Sequence, residues 1–213
     1  MKKEQQKRLC LSGILLAAFV LWTVLIRLID VQAIGPEGSS VGFATVNRYV
    51  QGLTGVHMTL YTVTDWLGLV PFGVVLAFAI LGALQWIRRK RILLVDRSIL
   101  VLGGFYLLVM AAYLFFEVLV INYRPVLING VLEASYPSST TMLVTCVMPT
   151  AMMQLNTRIA RRGIRRLTVL SIAAFTVFMV VVRLLSGVHW VTDIIGGLLL
   201  SAGLVLLYRS LAE

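Results

Sequence analysis

The stretch VRLLSGVHWVTDIIGG contains Arg183, His189 and Asp193. His189 and Asp193 are four positions apart, in what should be the first turn of a helix, so they project from one face. That spacing lets the Asp193 carboxylate accept a hydrogen bond from one imidazole nitrogen, fixing the tautomer and leaving the other nitrogen free as a nucleophile. Arg183 lies six residues ahead of His189, across Ser186-Gly187, and should end the preceding helix facing the same pocket. A guanidinium placed there can grip a phosphate through two parallel hydrogen bonds. The plainer alternative pairs Asp193 with Arg183 to ease the cost of charge near lipid and satisfies His189 with a backbone carbonyl.

A second cluster runs from Asn122 through Arg124 and Pro125 to Ser135–Thr141, SYPSSTT. Pro137 followed by Ser138, Ser139 and Thr140 is a helix start, whose unpaired backbone N–H groups and hydroxyls suit an anion. Ordinary N-capping is the competing explanation.

The elements that must position these residues belong in lipid. Of 213 residues, 59% are hydrophobic and 13% charged, too apolar a balance for a soluble domain of this length. Stretches able to cross roughly 30 Å of hydrocarbon fall at about 10–29, 67–87, 98–120, 139–155, 167–185 and 190–208. The expected fold is therefore all-α: a single domain over 1–213 with six transmembrane helices. Thr140, Thr141, Thr145 and Pro149 dilute the fourth span, which should be sheltered by its neighbours. Residues from about Asp30 to Gly68 are too polar to span and are expected as an extracytoplasmic interfacial loop with a short amphipathic helix. Tyr61 and Trp66 there suit interfacial anchors.

The net charge of +10 raises the question of nucleic acid, but the basic residues sit in short clusters between apolar runs, as in cytoplasmic loops. Lys2, Lys3, Lys7 and Arg8 precede the first span, Arg88–Arg91 follow the second, Arg158–Arg166 the fourth, and Arg209 the sixth. This places both termini in the cytoplasm and leaves Arg27, Arg48, Arg124 and Arg183 on the other side, with the chemistry. The basic start, the apolar run and Val31-Gln32-Ala33 also resemble a cleaved secretory signal, although the run is long for one. Cys10 and Cys146 lack partners at metal-ligand spacing, so neither a zinc site nor a disulfide framework is expected.

With these residues in view, the chain resembles the type 2 phosphatidic acid phosphatase superfamily, whose motifs read K-x6-R-P, P-S-G-H and S-R-x5-H-x3-D. Arg124-Pro125, Pro137-Ser138 and the Arg183/His189/Asp193 set match, with Val182 in place of the third motif's Ser. The resemblance implies that His189 attacks phosphorus to give a phosphohistidine and that Asp193 orients it. It also implies that Arg124, Arg183, Ser138 and the nearby backbone, Ser139 included, bind phosphate oxygens, with no metal or other cofactor. Two positions depart. Glu117 stands at the first motif's Lys, and Thr140 at the second motif's His.

Threonine cannot act as a general acid near neutral pH. The chain's other histidine, His57, is a candidate substitute only if it folds over the pocket. A diphosphate, however, expels a phosphate monoester, which needs no proton. The expected substrate is thus a polyprenyl diphosphate, of the undecaprenyl diphosphate type, at the outer leaflet of the cell membrane, where its hydrolysis would recycle the carrier lipid of cell-envelope assembly. Glu117 either points away, is protonated by burial, or pairs with Arg124 in the empty site. Two other functions are consistent with the residues: a catalytically weakened member that binds or transports lipid phosphates, and a phosphotransferase. Membrane lipids and the substrate are the expected partners, with nucleic acid not among them. A homodimer through lipid-facing spans has no motif behind it.

Overall fold

The computed structural model describes residues 3–212, and among them the regular structure is helical. Six long helices alternate in direction: α1 Lys3–Leu28, α4 Leu69–Arg89, α5 Arg97–Val118, α6 Ser139–Arg158, α7 Arg162–Leu185 and α8 Val191–Ala212. Two short ones, α2 Ala44–Thr54 and α3 Met58–Leu67, lie between α1 and α4. The six expected spans thus correspond to the six long helices, with ends shifted by a few residues. α1, α5, α7, α8 and the combined α3–α4 run are long and apolar enough to cross a membrane.

α6 is the exception, and burial explains it. Thr141, Met142, Val144, Cys146, Val147, Thr150 and Ala151 are all buried, so α6 lies inside the bundle rather than against lipid. Two of its threonines return to their own helix: Thr145 Oγ1 donates to Thr141 O at 2.6 Å, and Thr150 Oγ1 to Cys146 O at 2.9 Å, while the buried Thr141 Oγ1 has no partner.

α1 packs along α8 as an integral member of the bundle. Ser12 Oγ donates to Gly203 O at 2.8 Å, Gln5 Nε2 to Ser210 O at 2.7 Å, and Trp22 Nε1 to Thr192 O at 3.2 Å. A Cβ on Gly203 would sit 2.8 Å from the Leu16 side chain, so the glycine sets the closeness of the two helices.

The bundle has a basic end and a site end. At the basic end Asp96 draws α4, α5 and α6 together, meeting Gln85 Nε2 at 2.8 Å, Arg89 Nη1 at 3.1 Å and Arg158 Nη1 at 3.5 Å. At the other end Arg27 Nη2 donates to Val120 O at 2.7 Å, just past the end of α5, where exposed carbonyls attract a cation.

The segment expected as an interfacial loop with one short helix holds two, α2 and α3, and is tied to the bundle. Asp30 accepts Thr45 N–H at 2.7 Å, which holds its carboxyl below the ordinary range. α2 is tied to the start of α8 by Asn47, whose Nδ2 donates to Thr192 Oγ1 at 3.0 Å and to Gly42 O at 2.8 Å. α3 runs almost continuously into α4 through Gly68 and packs on α7. The segment is a brace rather than a float. Trp66 is exposed, as an anchor should be, but Tyr61 is partly buried.

Candidate active site

The site is assembled from three pieces at the end of the bundle away from the basic clusters: the α7–α8 turn, the α5–α6 connection and α3. The α7–α8 turn carries the imidazole. Gly187 has φ +67, and a Cβ there would collide with the Gly55 carbonyl, so the turn demands glycine on both counts. His57 N–H donates to Ser186 O at 2.9 Å and fastens this turn to the α2–α3 loop.

Asp193 occupies the third position of α8 and reaches back to the residue before the helix. Its Oδ2 accepts Trp190 N–H at 3.0 Å, the acidic half of a capping box, which fixes the carboxylate before any ligand arrives. Trp190 Nε1 in turn donates to Tyr123 O at 2.8 Å, joining the turn to the α5–α6 connection.

That connection folds as a short antiparallel ribbon. Ile128 and Val131 bridge around Asn129 and Gly130, both at positive φ, and Tyr123 bridges Ala134 nearer the base. Between the bridges the outgoing arm holds Arg124, Pro125, Val126 and Leu127, and the return arm only Leu132 and Glu133. At the base Arg124 N–H donates to Glu133 O at 3.0 Å and Ser135 N–H to Asn122 O at 2.9 Å. Because side chains alternate along each arm, Asn122 and Arg124 share a face with Ser135 and Glu133. That face meets His189. Tyr136 pins the ribbon's exit: its hydroxyl lies 2.7 Å from Thr23 Oγ1, and its ring stacks on Phe19 at 6.1 Å.

The spacing of His189 and Asp193 predicted a direct hydrogen bond, and here the structure corrects it. His189 Nδ1 and Asp193 Oδ2 are 3.8 Å apart, with Ser135 between them. Nδ1 lies 3.1 Å from Ser135 O and 3.0 Å from Ser135 Oγ, while Ser135 Oγ–H donates to Asp193 Oδ2 in a short bond. Asn122 Nδ2 donates to Asp193 Oδ1 at 3.3 Å. A carbonyl oxygen can only accept, so Nδ1 carries the proton and Nε2 presents its lone pair. Nε2 faces Arg124 Nη1 at 3.4 Å. The imidazole Nδ1–H is thus held by the Ser135 carbonyl, with Ser135 Oγ linking it to the Asp193 carboxylate.

The Arg183–Asp193 pair of the plainer alternative is not formed. Arg183 is 1% exposed, and its Nη1 donates to Thr64 Oγ1 at 3.1 Å. Its Nε has no partner, and its guanidinium lies 4.9 Å from the centre of the Tyr61 ring. Arg124 stands 5.8 Å from the same ring. Among the described residues Arg183 makes no ion pair, whereas Arg124 Nε lies 3.0 Å from Glu133 Oε2, off the N–H axis. Two buried guanidinium groups thus lie against one aromatic ring, and one of them meets the unprotonated imidazole nitrogen.

Ser138 is fully buried as the N-cap of α6: its Oγ accepts Thr141 N–H at 3.5 Å, and its N–H donates to Asp193 O at 3.1 Å. Ser139 and Thr140 occupy the first turn of α6 and are partly buried. Glu117 is exposed near the end of α5 and neighbours Tyr113. Helix α5 stops at Val118, so residues 117–124 do not form the continuous helix that a Glu117–Arg124 pair required, and Glu133 holds that place. His57 does not cover the pocket; its Nε2 meets Thr54 O at 2.9 Å. Among the described residues no group of three or more His, Cys, Asp or Glu side chains is arranged to hold a metal ion.

Sequence reasoning missed Glu133 and Thr64, and the roles of Ser135 and Tyr61. The Asn129-Gly130 dipeptide between apolar residues was the available signal for the ribbon, and counting back from it in steps of two reaches the site face. No local signal marks Tyr61 or Thr64.

His189 lies in the α7–α8 turn, outside the spanning helices. Burial, reinforced by Arg124 and Arg183, pushes its pKa well below the ordinary histidine range. The imidazole is therefore neutral in the folded protein, as a nucleophile requires. The sign for stability follows: between the unfolded value near 6.5 and the lower folded value, the unfolded chain binds the extra proton. Thermal stability in detergent should fall as pH drops below about 6.5, by up to about 1.4 kcal/mol per pH unit from this group. His189→Gln should flatten that slope, and a slope unchanged in the variant would remove His189 as its source.

The PAP2 superfamily model matches residues 118–213, the part that carries Arg124, the Ser138 region, Arg183, His189 and Asp193. No curated protein sequence gives a significant match. Among solved structures the chain is similar to a transmembrane PAP2-type phosphatidylglycerolphosphate phosphatase from Bacillus subtilis. The two are 21% identical, with 93% of this chain and 94% of that one covered at a TM-score of 0.53. The fold is shared, so the α1–α5 half, outside the matched segment, follows the same transmembrane plan. Residues 118–213 thus match the PAP2 superfamily, and the chain shares the transmembrane fold of that phosphatase.

Proposed function

We propose that this protein is a membrane phosphatase for a lipid diphosphate, of the polyprenyl type, working at the non-cytoplasmic face through a phosphohistidine at His189. The observation that carries the reading is Arg183: a buried cation with an unpartnered Nε and, among the described residues, no ion-pair partner, sharing the Tyr61 ring with Arg124, which meets His189 Nε2. Charge of this kind is costly unless an anion comes to it, and a terminal phosphate supplies the anion. The face follows from the basic clusters, which sit at the opposite end of the bundle.

In the first step Nε2 attacks the terminal phosphorus and the bridging P–O bond breaks, its electrons leaving with the polyprenyl monophosphate. In the second, water attacks the phosphohistidine, the N–P bond breaks with its electron pair returning to Nε2, and the water's protons leave on the inorganic phosphate. Arg124, Arg183 and the α6 N-terminus, with Ser138 and Ser139, stabilise the equatorial oxygens in both. Ser135 and Asp193 keep the imidazole's Nδ1–H directed away from phosphorus.

Thr140 supports the choice of a diphosphate, because the monophosphate leaving group needs no acid while an alkoxide does. A short polyprenyl diphosphate should be cleaved at least about 10²-fold faster than the matching monophosphate. Thr140→His should narrow that gap by restoring an acid. Equal rates on the two lipids would defeat the diphosphate assignment. The same substitution favours a second reading, a weakened member that binds lipid phosphates without turning them over. No release by the wild type together with release by Thr140→His would establish it.

A further inference from the structure

The Arg124–Glu133 pair is not used in the chemistry above. Glu133 lies directly opposite Arg124 on the ribbon, and the base hydrogen bonds fix that register. Its carboxylate reaches Arg124 Nε at 3.0 Å while its side chain stays 40% exposed; the Arg124 side chain is 9% exposed. The two site arginines therefore differ. Arg124 has an internal anion within reach of solvent, and Arg183 forms no ion pair among the described residues.

We propose that Glu133 is a specificity-determining residue that makes the site select dianionic terminal phosphates over monoanionic phosphodiesters. This deepens the phosphate-site reading and rests on it. A membrane surface is crowded with phosphodiester headgroups, each with one negative charge, and an unguarded pair of arginines would bind them. With Glu133 in place, a monoanion merely exchanges one negative charge for another on Arg124 and gains little. A terminal phosphate, close to two negative charges near pH 7, replaces the carboxylate on Arg124 and still has a charge for Arg183. The displaced carboxylate, already half in water, swings outward at small cost. Discrimination arises by penalising the wrong ligand rather than by adding contacts to the right one.

The test is binding of methyl phosphate, a dianion, and dimethyl phosphate, a monoanion, to the purified full-length protein in detergent near pH 7.5, measured by calorimetry. The wild type should prefer methyl phosphate. In Glu133→Gln the ratio of the two dissociation constants should shrink about tenfold, chiefly because dimethyl phosphate binds more tightly. Glu133→Asp, which keeps the charge, should retain most of the discrimination and controls for loss of the ribbon. In turnover assays, phosphatidylglycerol vesicles should inhibit Glu133→Gln and spare the wild type. An unchanged ratio in Glu133→Gln, or equal weakening of both ligands, would overturn the proposal and leave a structural cross-strand pair. If the wild type binds neither ligand, the phosphate-site reading itself falls, and the proposal with it.

Discussion

Replacing His189 by alanine is expected to take phosphate release from a short polyprenyl diphosphate down to background, a loss of about 10⁴-fold or more. The lone pair on Nε2 is the one nucleophile facing the arginines, and nothing adjacent can replace it. Thr140 and Ser139 are hydroxyls, far weaker nucleophiles than an imidazole near neutral pH, and the His57 ring is engaged with the Thr54 carbonyl. Binding should survive the substitution, because Arg124, Arg183 and the α6 N-terminus are untouched. His189→Ala should therefore still be stabilised by inorganic phosphate in a thermal shift measurement. Residual turnover within tenfold of the wild type would mean that water is activated by another group and that the imidazole only binds.

Ser135→Ala separates orientation from nucleophilicity at the same place. It removes the hydroxyl between His189 and Asp193 but keeps the Ser135 carbonyl on Nδ1, so it should cost far less than His189→Ala.

The contrast between those two residues reflects what was legible in the sequence. His189, Asp193 and Arg183 are close along the chain and share one helix boundary, so spacing alone placed them. The long spans were legible for the same reason: each is an uninterrupted apolar run, and lipid leaves a backbone few options but a helix. α6 was marginal because its apolar face is measured against other helices, where threonines bonded to their own carbonyls are tolerated. Glu133 and the role of Ser135 were out of reach because they depend on the register of a ribbon in which one arm has more residues than the other. Tyr61 and Thr64 depend on α3 packing against α7, a contact made by residues more than a hundred positions apart. Local chemistry is visible in local sequence; a site wall supplied by a distant helix is not.

Arg183 provides the sharpest separation of function from fold. An arginine retained for structure should destabilise the protein when removed, whereas one retained for an absent anion should do the opposite. In the free protein its charge is buried, its Nε is unpaired, and Arg124 adds a second positive charge nearby. Thr64 and the Tyr61 ring compensate only in part. Arg183→Met keeps much of the side chain's volume and removes that uncompensated charge, so it should raise the thermal midpoint in phosphate-free buffer. A gain of about 1 kcal/mol corresponds to roughly 2–4 °C for a chain of this size. Turnover should fall about 10³-fold, and the stabilisation that inorganic phosphate gives the wild type should disappear. A trade of stability for activity at one buried residue is the signature of a binding site built around its ligand. If Arg183→Met instead lowers the midpoint while phosphate still stabilises it, the anion is bound elsewhere, and Arg183 holds α3 to α7 rather than substrate.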